Sequence, residues 1–449
     1  MTNPLTELRA LADRIDFKRI AALAKRVDLA KLVGILAELE PEDLAHLASQ
    51  VRAKHGKKPL PAPNGDFYGF GEKLTADELA IKLRVREYMR SEIAPIVNDW
   101  WLRGEFPMHV IPGFAALEIA GLTFKGYGFP GRSCVLEGLV AEEIARVDVS
   151  MSTFFGVQSG LAMGSIYLCG SEEQKKTYLP KMRSFELLGA FGLTEPEVGS
   201  GAAGGLTTTC RRDGDTWVLN GQKKWIGNAT FSHFTIIWAR DEGDDQVKGF
   251  IVERETPGFV TKKIEDKMAL RIVQNAEITM VDCRVPEARR LQNANGFKDT
   301  ARVLRMTRAG VAWQAVGCAR GAYEHTVKYV QDRRQFGRPI GSFQMVQDLV
   351  AHMASQLTAM QALVFRLSQM QDDGTLRDEH ASLAKVFCTS GCREVVSQAR
   401  ELHGGNGILL SHDVARFVAD SEALYSYEGT KQINSLILGR AITGFSAFV

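Results

Sequence analysis

Apolar residues recur at helical spacing through residues 6–53, with Leu23, Val27, Leu32, Ile35 and Leu39 in one register and Pro41 placed to open a further helix. This spacing predicts a helical extension. Periodicity lapses in KHGKKPLPAPNGDFYGFG (54–71), whose glycine, proline and lysine content predicts a linker. From residue 75 to about 185 the helical pattern returns, opened by TADE (75–78), where threonine and glutamate can satisfy each other's orphan amides. Between residues 188 and 289 the texture changes to short β-rich runs, TWVLNGQKKWIG, FTIIWAR, GFIVERE and AEITMVDCRVP, divided by glycine and aspartate. Beyond residue 301 long helical stretches resume, separated by DRRQFGRPIG, DDGTLRD and HGGNGI, which suits a bundle of antiparallel helices. The predicted organisation is an extension (1–60), a linker (61–74), an N-terminal α domain (75–187), a middle β domain (188–300) and a C-terminal helical bundle (301–449). The fold class is α+β, mainly α.

Charge narrows the function. Fifty-five lysines and arginines nearly balance 53 aspartates and glutamates, so no broad basic field points to nucleic acid. No apolar run reaches the length needed to cross a bilayer, the N-terminus mixes acidic with basic residues unlike a signal or transit peptide, and GFSAFV carries no peroxisomal tripeptide. A cytoplasmic enzyme is expected. The seven cysteines show no C-x-x-C pair, and although Cys388 and Cys392 lie one helical turn apart, nothing completes a metal ligand set. Packed, reduced thiols and no metal are expected.

Five strings can carry chemistry, and each has a plainer reading beside it. FGLTEPEVGS (191–200) offers Thr194, Glu195 and Ser200 at the entry to the β region, or is only a polar turn. KKWIGNA (223–229) sets Trp225 beside Gly227, where an indole can lie against a flat ring or fill a β core. DRRQFG (332–337) places two guanidiniums and a phenyl ring at a turn, suited to a pyrophosphate and an adenine or to a solvated helix end. HGGNGI (403–408) lets backbone approach a phosphate closely, or merely ends a helix. YEGTKQI (427–433) puts Glu428 in an apolar C-terminal segment, where an unpaired, buried carboxyl would be pushed toward the proton affinity that a carbon acid demands of its base. A structural salt bridge is the other reading.

In this order the strings resemble the acyl-CoA dehydrogenase and oxidase superfamily, whose marks are TEP-x-x-GS, W-I-x-N, R-x-x-F-G, GGNG and Y-E-G-T. The resemblance spans about residues 70–449 and is nearest to the glutaryl-CoA dehydrogenase group and plant peroxisomal short-chain acyl-CoA oxidases, through KGYG, CGSEEQ, LTEPEVGS, WIGN, VQN, YEGT and LGRAITG. It implies a β-barrel-like domain between an N-terminal helical domain and a C-terminal four-helix bundle, with FAD as cofactor. Thr194, Ser200, Trp225 and Gly227 would meet the flavin and its pyrophosphate, with Thr430 and Gln432 near the phosphates. Arg333, Phe336, Gln344, Gly404 and Gly405 would reach the FAD of a neighbouring subunit, which implies a homodimer or homotetramer. Glu428 would be the base, with Ser200, Arg308 and Gly429 at the acyl-CoA; Thr307 stands where some relatives carry the base on an earlier helix.

Three positions depart from the pattern. Gly201 replaces the aspartate usual after the GS pair, and Gly227 replaces the threonine or serine usual in W-I-x-N. Leu102 falls where the glutaryl group carries its substrate arginine, with Arg103 beside it. The implied reaction is α,β-dehydrogenation of an acyl-CoA, with an electron-transfer flavoprotein as partner. An oxidase releasing hydrogen peroxide, a non-catalytic homologue and an oxygenase on the same fold stay open beside it.

Overall fold

The structure, a computed structural model, describes residues 60–447, and the expected extension before them lies outside the described residues. The first long helix, α1 (Ala76–Tyr88), opens on the capping box that TADE predicts: Thr75 accepts from the Glu78 amide, and the Glu78 carboxylate accepts from the Thr75 amide at 3.1 Å. Short helices α2 (Val97–Arg103) and α3 (Ile111–Ala116) follow, then the hairpin β1 (Lys125–Gly126) and β2 (Phe129–Pro130). Helices α4 (Cys134–Ala145), α5 (Val149–Gly156), α6 (Met163–Cys169) and α7 (Glu172–Arg183) complete this part, with a wide π-helical stretch, Val157–Ala162, joining α5 to α6.

The middle segment forms one curled, mixed sheet. Its strands are β3 (Gly189–Gly192), β4 (Thr209–Asp213), β5 (Thr216–Ile226), β6 (Phe234–Asp241), β7 (Val247–Glu253), β8 (Phe259–Lys263) and β9 (Ala276–Pro286). The order is β3-β6-β4-β5-β9-β8, with β7 also paired to β6; β3 and β4 run parallel to β6, and the other pairings are antiparallel. Register shifts between β5 and β9 mark the bulges that bend the sheet. FTIIWAR is apolar at successive positions because both faces of β6 are covered. Phe234, Ile236 and Trp238 join the helical core with Phe154 and Met182, while Ile237 and Ala239 join Trp217 and Phe250 in the sheet's own core.

A four-residue helix, α8 (Ala202–Gly205), sits in the loop before β4. The rest is helical: α9 (Phe297–Asp332), a hairpin of β10 (Arg334–Gln335) and β11 (Arg338–Pro339), then α10 (Gln344–Asp372), α11 (Asp378–His403), α12 (Val414–Ser426) and α13 (Lys431–Thr443). The 36-residue α9 is the axis of this bundle. Small residues let it come close to its neighbours: a Cβ built on Gly317 would lie 2.4 Å from the Glu142 carbonyl oxygen, and one on Gly321 would lie 2.2 Å from that of Arg146. Trp313 fills the matching notch left by Gly138 on α4, and its indole N–H donates to the Ser368 hydroxyl at 2.9 Å.

Because the Gly321 notch is walled by backbone, Gly321→Ala should lower stability although alanine favours a helix by about 1 kcal/mol. Overpacking of roughly 1–3 kcal/mol outweighs that gain. The expected outcome is a thermal midpoint lower by a few degrees; an unchanged or raised midpoint would show that the two helices can part freely.

Candidate active site

Helix α12 ends at Ser426, and the chain turns into α13 through Tyr427, Glu428, Gly429 and Thr430. Glu428 and Gly429 both adopt left-handed backbone, at φ 56° and 78°. Glycine takes this conformation freely, whereas a glutamate does so only where its surroundings hold it. Here three anchors hold it. The Thr430 side chain caps α13 by accepting from the Ile433 amide at 3.2 Å. The buried Asn434 amide donates to the Gly429 carbonyl at 2.8 Å and to that of Thr430 at 3.0 Å. On the other side, the Tyr427 hydroxyl donates to Gln314 on α9 at 2.7 Å.

The Glu428 side chain is half-buried and meets α9, where the Thr307 hydroxyl donates to its carboxylate. This hydroxyl partner lies 121 positions away along the chain, beyond the reach of local pattern. Burial pushes the Glu428 carboxyl up, while the Thr307 hydrogen bond and the charges of Arg308 and Lys385 draw it back. Arg308 sits 4.0 Å from Asp378, whose nearer partner is Arg305 at 2.6 Å. Gly160 lies beside Thr307: a Cβ built on it would be 3.2 Å from the threonine methyl group.

The sheet supplies a second group of predicted residues. Glu195 accepts from the Thr207 amide (2.7 Å) and hydroxyl (2.6 Å), the Thr208 amide (2.9 Å) and Lys223 (2.8 Å). Both charged side chains of this pair are buried, so Glu195 knots the 194–208 loop to β5 instead of facing a ligand. Burial would raise the Glu195 carboxyl, but Lys223 and the threonine donors hold it down to about 2; burial brings Lys223 down to about 8 against the pull of Glu195. The knot fixes the neighbours. Thr194 accepts from the Lys224 amide at 2.8 Å through its carbonyl, and Trp225 adopts φ 66° with its carbonyl taken by Asn275 at 3.2 Å.

The Trp225 ring is 54% exposed and stands as an aromatic platform, with the Lys224 ammonium 5.7 Å from its centroid. Gly227 is buried, and a Cβ there would lie 3.3 Å from Val157 and 3.5 Å from Val273. Ser200 is exposed in the glycine-rich loop beside Gly201. An exposed indole on a fixed backbone, bordered by threonine and serine oxygens and a glycine loop, fits a planar ring carrying a phosphate tail.

A third group lies elsewhere in this chain. Phe336 (φ 52°) and Gly337 (φ 78°) form the tight turn of the β10–β11 hairpin, leaving the Phe336 ring 91% exposed, and Arg333 and Gln344 are exposed beside it. The Gly404–Gly405 turn adjoins the same end of α9: Tyr329 donates to the His403 carbonyl at 3.3 Å and accepts from Asn406 at 3.0 Å. A Cβ on Gly404 or Gly405 would meet nothing within 4 Å. Thr307 and this end of α9 are separated by about 40 Å of helix, so Arg333, Phe336, Gln344, Gly404 and Gly405 do not converge on Glu428 of the same chain.

The remaining expectations place simply. Arg308 is close to the Glu428 cluster, Gly429 and Thr430 form its turn, and Gln432 is exposed as the second residue of α13. Arg103 is exposed and stacks on Trp100, its guanidinium 5.1 Å from the ring centroid. Cys388 and Cys392 are buried, free thiols, and among the described residues no group of three His, Cys, Asp or Glu side chains is set to hold a metal. Among those residues, too, no helix is long and apolar enough to cross a membrane. Lys385 and Asn434 escaped the sequence reading. The signal for Lys385 was a lone lysine within the apolar stripe of ASLAKVF, flanked at helical spacing by Ala381, Ala384 and Cys388.

Models of the acyl-CoA dehydrogenase N-terminal, middle and C-terminal domains match residues 75–186, 190–283 and 294–443. A probable acyl-CoA dehydrogenase of Bacillus subtilis, YngJ, is 33% identical over 376 residues, spanning 82% of this chain and 99% of its own. The caffeyl-CoA reductase-Etf complex subunit CarC of Acetobacterium woodii is 32% identical over 364 residues, spanning 80% of this chain and 96% of its own. A solved glutaryl-CoA dehydrogenase of Mycobacterium smegmatis, in complex with FADH2, has a TM-score of 0.84 at 33% identity and covers 87% of this chain and 100% of its own.

The Glu195–Lys223 knot has a pH signature. The folded carboxyl, at about 2, lies below the usual 4.5, so its contribution is complete above pH 4.5 and is lost as pH falls toward 2. Glu195→Gln should be less stable at neutral pH by about 3 kcal/mol, because Lys223 is left buried without its counter-charge. Its loss of stability below pH 4.5 should be shallower than that of the wild type. Thermal midpoints across this range check both; parallel profiles would rule out the assigned role of the pair.

Proposed function

The chain belongs to the acyl-CoA dehydrogenase family, and on that basis we propose that it is a FAD-dependent enzyme that removes the α proton and a β hydride from an acyl-CoA thioester, yielding the trans-2-enoyl-CoA. The observation that carries this reading is Glu428 itself. A carboxylate held on a left-handed turn, raised by burial and steadied by Thr307, Arg308 and Lys385, has the attributes of a base for a weakly acidic C–H.

Bound FAD would supply the two-electron acceptor for the β hydride. Trp225 would support its ring face, Gly227 would lie at the ring edge, and Thr194, Ser200, Thr430 and Gln432 would hold its polar groups and phosphates. Glu428 takes the α proton on its carboxylate while its backbone N–H donates to the thioester carbonyl, where enolate charge develops. Gly429, with no side chain, leaves that amide accessible, and the nearby guanidinium of Arg308 favours the ionised carboxylate over its protonated form. Ser200, exposed in its loop, is suited to the CoA as well as the cofactor.

The distant, exposed group of Arg333, Phe336, Gln344, Gly404 and Gly405 supports cofactor contacts made to a second copy, hence a homodimer or homotetramer. An electron-transfer flavoprotein is the proposed acceptor, in line with the relative described as part of an Etf complex. Gly227 favours a second reading, with oxygen as acceptor and hydrogen peroxide as product. No hydroxyl is available at this position, and the nearest atoms to a Cβ there are those of Val157, Val273 and the Asn275 amide.

Glu428→Gln should retain the fold and FAD yet bleach its flavin at least 100-fold more slowly on anaerobic mixing with an acyl-CoA, taking roughly 10² as the lower range for loss of a general base. Near-normal bleaching would end the assignment. The acceptor is decided by Gly227→Thr, whose Cβ would need Val157 to give by a few tenths of an ångström. Substrate-reduced wild-type enzyme mixed with oxygenated buffer should reoxidise faster than this variant if oxygen is the acceptor. Equally slow reoxidation with product bound leaves the flavoprotein route.

A further inference from the structure

Lysine 385 lies on α11 with no exposed surface, between apolar positions Ala381, Ala384 and Cys388. An ammonium group carries three donors, yet its only hydrogen bond among the described residues goes to the Tyr425 carbonyl at 3.3 Å. No carboxylate among those residues lies within 4.0 Å of it. Burying a cation so incompletely satisfied is costly. Glu428 is the acid whose field acts on Lys385, and Arg308 is the competing cation. Arg308 has Asp378 at 4.0 Å to offset it; among the described residues the acid acting on Lys385 is Glu428.

We propose that Lys385 is a positioning residue for the reaction, a buried ammonium that acts through Glu428 to keep the carboxylate ionised inside a pocket that would otherwise favour its neutral form. The inference rests on the reading of Glu428 as the base. Its physical content is a division of labour. From α9, Thr307 fixes the carboxylate by a hydrogen bond and Arg308 contributes a charge shared with Asp378. From α11, Lys385 contributes a charge with no carboxylate within 4.0 Å among the described residues, and its bond to Tyr425 ties it to the last turn of α12, three residues before Glu428. During the reaction the α C–H bond breaks and an O–H bond forms on Glu428, so the attraction to Lys385 is lost in that step. The lysine therefore limits how strongly Glu428 binds a proton and maintains the share of molecules able to accept one.

A purely structural role is the competing account: an ammonium that caps the last carbonyls of α12 would stabilise the helix and nothing else. Infrared titration of the FAD-loaded protein separates the two, with the Glu428 carboxyl and carboxylate bands assigned by their loss in Glu428→Gln. In Lys385→Met the midpoint of Glu428 protonation should move up by about one pH unit or more, the size expected for loss of a nearby opposite charge, and Lys385→Arg should return it. An unmoved midpoint in folded Lys385→Met overturns the proposal. Wild-type protein gives a second test that no folding defect can spoil: burial brings Lys385 down to about 8, so the Glu428 carboxylate band should shift as pH passes through that value. A band that stays unchanged while Lys385 loses its proton also overturns the proposal. The base assignment fails separately, by normal flavin reduction in Glu428→Gln, whatever the titrations give.

Discussion

The close approach of α9 to α4 at Gly317 and Gly321 sets where both ends of a 36-residue helix lie. One end presents Thr307 and Arg308 to Glu428; the other leads into the Arg333 hairpin and abuts the Gly404 turn through Tyr329. Because the contact is backbone against backbone, it cannot be relaxed by a rotamer change. Any shift of α9 along or around its axis would move the Thr307 hydroxyl out of reach of the carboxylate and displace the hairpin as well. The geometry of the candidate site thus depends on a packing contact made by residues remote from Glu428.

Around Glu428 the decisive balance is between desolvation and donors. A carboxyl in a dry pocket tends to hold its proton, and one that holds its proton cannot take another. A carboxylate bridged to a cation at contact distance would fail for the opposite reason, being too weak a base. The site lies between these limits: one hydroxyl donor, one cation moderated by Asp378, and one buried ammonium beyond ion-pair distance. Glu195 shows the other extreme on the same molecule. With four donors on its carboxylate it is locked in the charged form, and it serves the loop.

The architecture was largely legible because its signals are local. Capping at Thr75, the β texture of FTIIWAR and the turn residues of DRRQFG each follow from neighbours a few positions apart. Glu428 was legible as a motif but not as an environment, since Thr307, Arg308 and Lys385 come from other helices. Glu195 was visible only as a polar residue in a turn. What makes it structural is Lys223, reached across the sheet entry, and no periodicity registers a buried ion pair. Lys385 broke the apolar pattern of its helix, the kind of local inconsistency that marks functional or strained positions.

The left-handed backbone at Glu428 follows from the same requirement for fixed geometry. A residue at φ 56° carries strain of order 1–3 kcal/mol, and a sequence free of functional demands would place glycine or asparagine there. Here glycine stands one position later, so the glutamate keeps its carboxylate while Gly429 completes the reversal. The strain persists because both flanks are pinned: Tyr427 to Gln314 before it, Thr430 and Asn434 after it. Those anchors lie on α9 and α13, so the conformation of one residue is set by two helices that are themselves packed into the bundle. Thr307 then meets a carboxylate whose backbone is already fixed, and little ordering remains for substrate binding to supply. Under the proposed reading of Glu428 as the base, preorganisation of this kind spends folding energy in advance to place the carboxylate near a C–H bond, where a flexible one would serve less well.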